Sequence, residues 1–132
     1  DTWTSGDAFF AGRDSAVEPV DVRISQSGVS PQIKQIGSST GNTVSPTLGN
    51  RTLLQSFWNG GSSFQAINND AAVTGTNPGT DAMTHFIFGA HGLGAGGAFD
   101  GKIAEAAIFN AEVTGADLTA LKTYFNSQYA LW

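Results

Sequence analysis

At 132 residues the chain has the size of one domain and can bury one core. Hydrophobic residues make up 40%, aromatics 11% and charged residues only 13%, far from the composition of a disordered chain. The net charge is −5, the six Lys and Arg stand singly from Arg13 to Lys122, and there is no Cys. Nucleic-acid backbones and anionic membrane surfaces are therefore set aside as partners, and disulfides, thiolate metal sites and thiol nucleophiles are excluded.

Seventeen glycines, with abundant Ser, Thr and Asn, supply tight turns, and many turns imply many short strands. Residues 8–11 read as a strand ending at Gly12. Residues 20–25 alternate, with Val20, Val22 and Ile24 on one face and Asp21, Arg23 and Ser25 on the other, the period of a half-buried strand. A turn is predicted at 28–31 and a second alternating strand at 32–36, where the apolar position slips by one between Ile33 and Ile36. Residues 37–50 read as loop. Residues 53–58 and 63–67 read as two strands of a hairpin joined by the turn signal Asn59-Gly60-Gly61.

Residues 68–81 form another polar loop, 85–89 a short buried strand and 92–97 a glycine loop. Residues 99–109 are ambiguous, since the stretch 103–108 has good helix propensity but its apolar positions fit neither period. A helix is predicted from Asp117 to about Tyr129. Thr114 stands as its N-cap, Asp117 sits three residues on, and Leu118, Leu121, Phe125 and Tyr129 line a face expected to pack on the sheet.

The closing segment carries a resemblance. Phe99-Asp100-Gly101-Lys102-Ile103-Ala104-Glu105-Ala106-Ala107-Ile108-Phe109-Asn110, then Val113-Thr114 and a helix running into Tyr129-Ala130-Leu131, resembles the end of a concanavalin A-like, laminin-G-like jelly roll. The stretch His85-Phe86-Ile87-Phe88-Gly89-Ala90 is similar to the strand before it in that family. The likeness spans 86–131 and is vague before Leu53. It implies a mostly β chain: an antiparallel two-sheet jelly-roll sandwich with one short C-terminal helix, and 99–109 as a late core strand. Residues 1–132 then read as a single such domain with few N-terminal strands. The missing ones are expected ahead of Asp1, in a longer chain, or from another chain. No apolar run approaches the ~20 residues that span a membrane.

Candidate sites are weighed against plainer readings. Gly92-Leu93-Gly94-Ala95-Gly96-Gly97 matches G-x-G-x-x-G, but no helix is expected to follow, so a simple loop is preferred to a dinucleotide site. His85 and His91 lack a third ligand nearby in sequence, Asp81 and Asp100 being the closest carboxylates, which argues against zinc. Some relatives of the fold are glucanases that carry a Glu-x-Asp-x-x-Glu strand. That triplet is absent, and Asp100 and Glu105 fall on opposite faces of a strand, so no catalytic residue is assigned and the chain is not read as an enzyme. Glu105 is expected to pair with a polar group in the sheet.

Trp3, Trp58 and Trp132 are the aromatic residues able to stack on sugars, with core burial as the alternative. The ligand candidates are Trp58, Asn59, Asn68 and Asn69, on loops at a sandwich edge. Asp70, Asn77 and Asp81 supply oxygen ligands for Ca²⁺, the one cofactor the resemblance implies, although the same residues are ordinary turn formers. Asn50-Arg51-Thr52 is a glycosylation sequon of a kind expected by chance. Two functions follow: a non-catalytic recognition or adhesion module for glycans or cell-surface polymers, or a structural virion or surface-assembly protein (decoration, fibre or tail component) packing against neighbouring subunits. Both place the chain at an extracellular or virion surface.

Overall fold

The computed structural model describes residues 7–13, 19–27, 30–37, 39–80, 85–89 and 101–132. Strands β1 (Asp7–Arg13), β2 (Pro19–Ser27), β3 (Ser30–Ile36) and β4 (Thr40–Val44) come first in the chain. The hairpin β5 (Leu54–Phe57) and β6 (Phe64–Ile67) follows, joined across a 3-10 turn at Gly60–Ser62. Then come the two-residue β7 (Val73–Thr74), β8 (His85–Phe88) and one helix, α1 (Gly115–Tyr129). The strands form two open antiparallel sheets, one in the order β4-β3-β2-β1-β8 and one in the order β5-β6-β7. The chain is thus mostly β with one C-terminal helix.

Strand expectations at 8–11, 20–25, 32–36, 53–58, 63–67 and 85–89 each coincide with a strand, but Phe88 in the last, expected to be buried, is exposed. Of the predicted turn at 28–31, residues 28 and 29 lie outside the described residues, and Ser30 and Pro31 belong to β3, where Ser30 pairs with Ser27. The glycine loop at 92–97 lies outside the described residues, as do Trp3, Asp81, His91 and Asp100.

Residues 37–50 are not all loop: Thr40–Val44 is an edge strand paired with β3. Its composition, Thr-Gly-Asn-Thr-Val, hides a strand because Asn42, the residue that looks most like a turn former, is buried with its hydrogen bonds made inside. A register shift in the β3–β4 ladder between Lys34 and Ile36 accompanies the apolar slip. Pro31, Ile33 and Gln35 are the buried positions of β3, while Gln32, Lys34 and Ile36 are half-buried.

The sheets meet where β4 packs against β6 and β7. The buried apolar residues Ile33, Val44 and Ala66 share this interior with Gln35, Asn42, Ser63 and Gln65, each at most 1% exposed. Burying amides without partners costs about 1–3 kcal/mol apiece. The two N–H groups of the Gln35 amide are shared among Ser56 Oγ (3.0 Å), Phe57 O (2.9 Å) and Phe64 O (3.0 Å), which ties β3 to both strands of the hairpin. Asn42 Nδ2 donates to Gln35 Oε1 (3.0 Å) and Ser63 O (2.9 Å), and its Oδ1 accepts from Thr76 Oγ1 (2.7 Å). With its amide nitrogen facing two carbonyls, Gln65 donates to Asn42 O (2.9 Å) and Ile33 O (3.1 Å).

The C-terminal third departs from the sequence reading. Residues 101–112 are exposed and join no strand of either sheet, so 101–109 is not the core strand expected there. A strand needs a ladder partner for its backbone groups, and 101–112 pairs with none of the open edges of the two described sheets. The helix forms where expected, two residues longer at its start. Thr114 takes extended N-cap backbone geometry but makes no side-chain cap bond. Leu118, Leu121, Phe125 and Tyr129 are only half-buried, and α1 has no extended packing against any described strand.

Candidate functional site

The β5–β6 hairpin sorts the four ligand candidates to its two ends. Trp58 and Asn59 follow β5 at one end, and Asn68 and Asn69 follow β6 at the other. At about 3.4 Å per residue the two pairs stand roughly 15 Å apart. They do not make one site.

At the first end Trp58 is half-buried. Its Cζ3 lies 3.5 Å from where a Cβ on Gly37 would stand, so the ring rests against a glycine. Asn59 is exposed. Its backbone nitrogen donates to Ser63 Oγ (2.8 Å) and its carbonyl accepts from Ser62 N (2.9 Å), which closes the turn.

At the second end Asn68 is a structural residue. It takes a left-handed φ of 51°, Leu53 N donates to its Oδ1 (2.9 Å), and Gln55 Nε2 donates to its carbonyl (2.9 Å). An asparagine tolerates this conformation because its short amide bonds locally. Both bonds fasten the end of the hairpin, so its amide oxygen is committed. Asn69, next along, is exposed.

The calcium candidates are also separated. Asp70 lines a shallow cleft with Thr43, Val44 and Ser45, at the end of β4. Asn77 belongs near the start of β4. Ser39 Oγ donates to its carbonyl, and its own Oδ1 accepts from Gly79 N (2.9 Å) in a local turn. Four to six extended residues, about 13–20 Å, lie between these places. Ligands of one Ca²⁺ each sit within about 2.6 Å of the ion, so Asp70 and Asn77 do not share a shell. Among the described residues no group of three His, Asp or Glu is placed to hold a metal.

Glu105 is engaged, but not in a sheet. Its carboxylate accepts from the Tyr124 hydroxyl (3.1 Å to each oxygen) and from the Tyr129 hydroxyl (3.0 Å), both on α1. These bonds hold the 101–112 segment to the helix. They raise the pKa of both phenols, first through the hydrogen bond to Glu105; its charge and partial desolvation add to the rise.

What Asn69 does face is the helix. A cleft of about 350 Å³ opens between it and Thr119, Lys122, Thr123, Asn126, Ser127 and Trp132. Arg51 stands beside this junction, its Nη1 donating to Tyr129 O (3.0 Å) in the last helical turn, where cations suit the helix dipole. Comparisons with family models, with curated proteins and with solved structures return no match.

The cleft's far wall is built by the way the helix stops. Ala130 takes a left-handed φ of 51° and its N–H donates to Asn126 O (2.8 Å). Asn126 Oδ1 then accepts from Leu131 N (2.8 Å) and Trp132 N (3.0 Å). One side chain thus fixes the path of the chain past the helix and sets Trp132 at the cleft. Nothing local in the sequence singles out Asn69 with Lys122 and Trp132, which lie 53 and 10 residues apart and meet only through the fold.

Proposed function

We propose that the chain is a non-catalytic recognition module, a jelly-roll sandwich of the concanavalin A-like or laminin-G-like type, that binds glycans or cell-surface polymers at an extracellular or virion surface. The observation that carries this reading is the cleft joining Asn69 to α1 and Trp132. It has the composition of a sugar site: hydroxyl and amide groups for a polyol and an indole for an apolar ring face. Its volume lies at the small end of the range of about 300–1,000 Å³ for ligand sites. Two antiparallel sheets with a C-terminal helix support the fold assignment; the family rests on the likeness of the closing sequence alone, since 101–109 does not form the late strand that likeness implies. The bonds that Leu53 N and Gln55 Nε2 make to Asn68, with Asp70 N to Ile67 O, fasten the 68–70 turn to the hairpin, as a loop-borne site requires.

A glycan array probed with the full chain tests this, with Asn69→Ala and Trp132→Ala beside Trp58→Ala. Binding that falls with the first two variants supports the reading. Absence of glycan binding at millimolar concentrations overturns it.

A second reading, a structural surface or virion component, is favoured by a different observation. Ile103, Ile108 and Phe109 are 41%, 49% and 53% exposed on a segment without a sheet partner. Such residues suit packing against a neighbouring subunit. Size measurement separates the two, since a stable soluble monomer counts strongly against assembly.

A further inference from the structure

The charge and hydrogen-bonding inventory of the Asn69–Trp132 cleft says more about its ligand. Lys122 lines the cleft from the middle of α1 and is half-buried. Among the described residues no ion pair engages it. A lysine at a cleft whose described lining holds no carboxylate is a point charge available to a ligand.

The hydroxyls on the same wall are oriented. Thr119 Oγ1 donates to Gly115 O (3.0 Å), Thr123 Oγ1 to Thr119 O (2.9 Å) and Ser127 Oγ to Tyr124 O (2.8 Å). Each has spent its proton on the helix and presents lone pairs outward. The wall therefore accepts hydrogen bonds along Thr119, Thr123 and Ser127, and donates a full charge at Lys122. Trp132 adds an apolar face and is 48% exposed. The ligand that matches has several hydroxyl donors, one carboxylate and a ring with an apolar face.

We infer that this cleft binds a uronic-acid residue of an acidic oligosaccharide. The carboxylate pairs with Lys122, the ring stacks on Trp132, and the ring hydroxyls donate to Thr119, Thr123 and Ser127, with Asn69 closing the opposite side. The inference rests on the recognition reading and names the ligand class for it.

The test is calorimetric titration of the full chain with trimers of galacturonate, glucuronate and mannuronate, each beside its methyl ester. The ester keeps the ring and hydroxyls and removes the charge. The expected result is binding of at least one trimer, weakened by about fivefold or more in its ester and by a similar factor in Lys122→Gln, in the range of a partly shielded ion pair. Trp132→Ala is expected to cost about tenfold, the size of a lost stacking contact. Lys34→Gln, the same charge change on β3, is expected to bind as the parent does, and circular dichroism confirms that each variant is folded. Acid and ester binding equally, or Lys122→Gln binding as the parent does, overturns the inference while glycan recognition stands. If no acidic trimer binds but neutral glycans on the array do, the inference again fails alone. If nothing binds in either experiment, both fall.

Discussion

Gln35 on β3 and Asn42 on β4 complete one another. The Gln35 carbonyl accepts from both Asn42 N (3.3 Å) and Asn42 Nδ2 (3.0 Å), while its amide nitrogen reaches across to β5 and β6. Two fully buried amides thus join the two sheets where a sandwich would ordinarily place aliphatic side chains.

The pair sets the first prediction. Gln35→Leu strands the Asn42 amide, the Ser56 hydroxyl and two strand carbonyls, and is expected to lower stability by about 2–4 kcal/mol. Gln35→Leu with Asn42→Leu removes the two amides together and is expected to cost less than the sum of the single changes. Urea unfolding of the three variants measures this coupling.

Gly37 and Gly41 lie beneath Pro78, which is buried. A Cβ on Gly41 would stand 2.8 Å from both Gln35 Cβ and Pro78 Cβ, and one on Gly37 would run into the Pro78 carbonyl oxygen. Gly37→Ala is expected to destabilise by about 1–3 kcal/mol because backbone, not a flexible side-chain end, must move. Gly61→Ala meets nothing within 4 Å and is expected to stay within about 0.5 kcal/mol of the parent. Thermal and urea unfolding compare the two.

The Glu105 contacts predict an alkaline transition in the C-terminal third. Both tyrosine pKa values are raised, so the folded state holds these protons more tightly than the unfolded chain does. Their stabilising effect is complete below the ordinary tyrosine value of about 10 and is lost as pH climbs through the raised folded values. Spectrophotometric titration is expected to show two late phenols. Glu105→Gln is expected to bring both back toward the ordinary value.

The exposed segment gives a discriminating pair of substitutions. Ile108→Ser with Phe109→Ser is expected to cost under about 1 kcal/mol, because neither side chain is buried. A core strand would lose several times that, about 3–5 kcal/mol for a large aromatic alone. Unfolding measurements read the difference. Sedimentation of the same variant shows whether any self-association of the parent has gone.

Arg51 is expected to steady the helix end. Arg51→Ala removes the bond to Tyr129 O and is expected to cost about 0.5–1 kcal/mol, seen as faster hydrogen exchange in the last turn of α1.

The fold was most legible where local pattern and local need coincide. The alternation of 20–25 is β2, and the Asn-Gly-Gly signal lies at the 3-10 turn between β5 and β6. It was least legible at Thr40–Val44, where an asparagine reads as a turn until Gln35 and Ser63 are seen to satisfy it. The site divided in the same way. Asn69 was named from its loop position and does line a cleft, but Asn68 beside it serves the hairpin, because its left-handed backbone and amide close the ladder there. Lys122 was invisible as a site residue, since a lone lysine on a helix is ordinary until its surroundings are known.

The residues alone point to a mostly β chain with a helix near 117–129, no thiol chemistry and no basic run. Composition and short-range period carry that information. That amides hold the interior between the sheets shows only in the folded chain. The tertiary structure separated Trp58 from Asn69 by the length of a hairpin, and it left 101–112 outside both sheets with Glu105 bonded to Tyr124 and Tyr129. Each of these depends on which distant group answers a donor, an acceptor or an open strand edge, and such partners are chosen by three-dimensional proximity that no local pattern encodes.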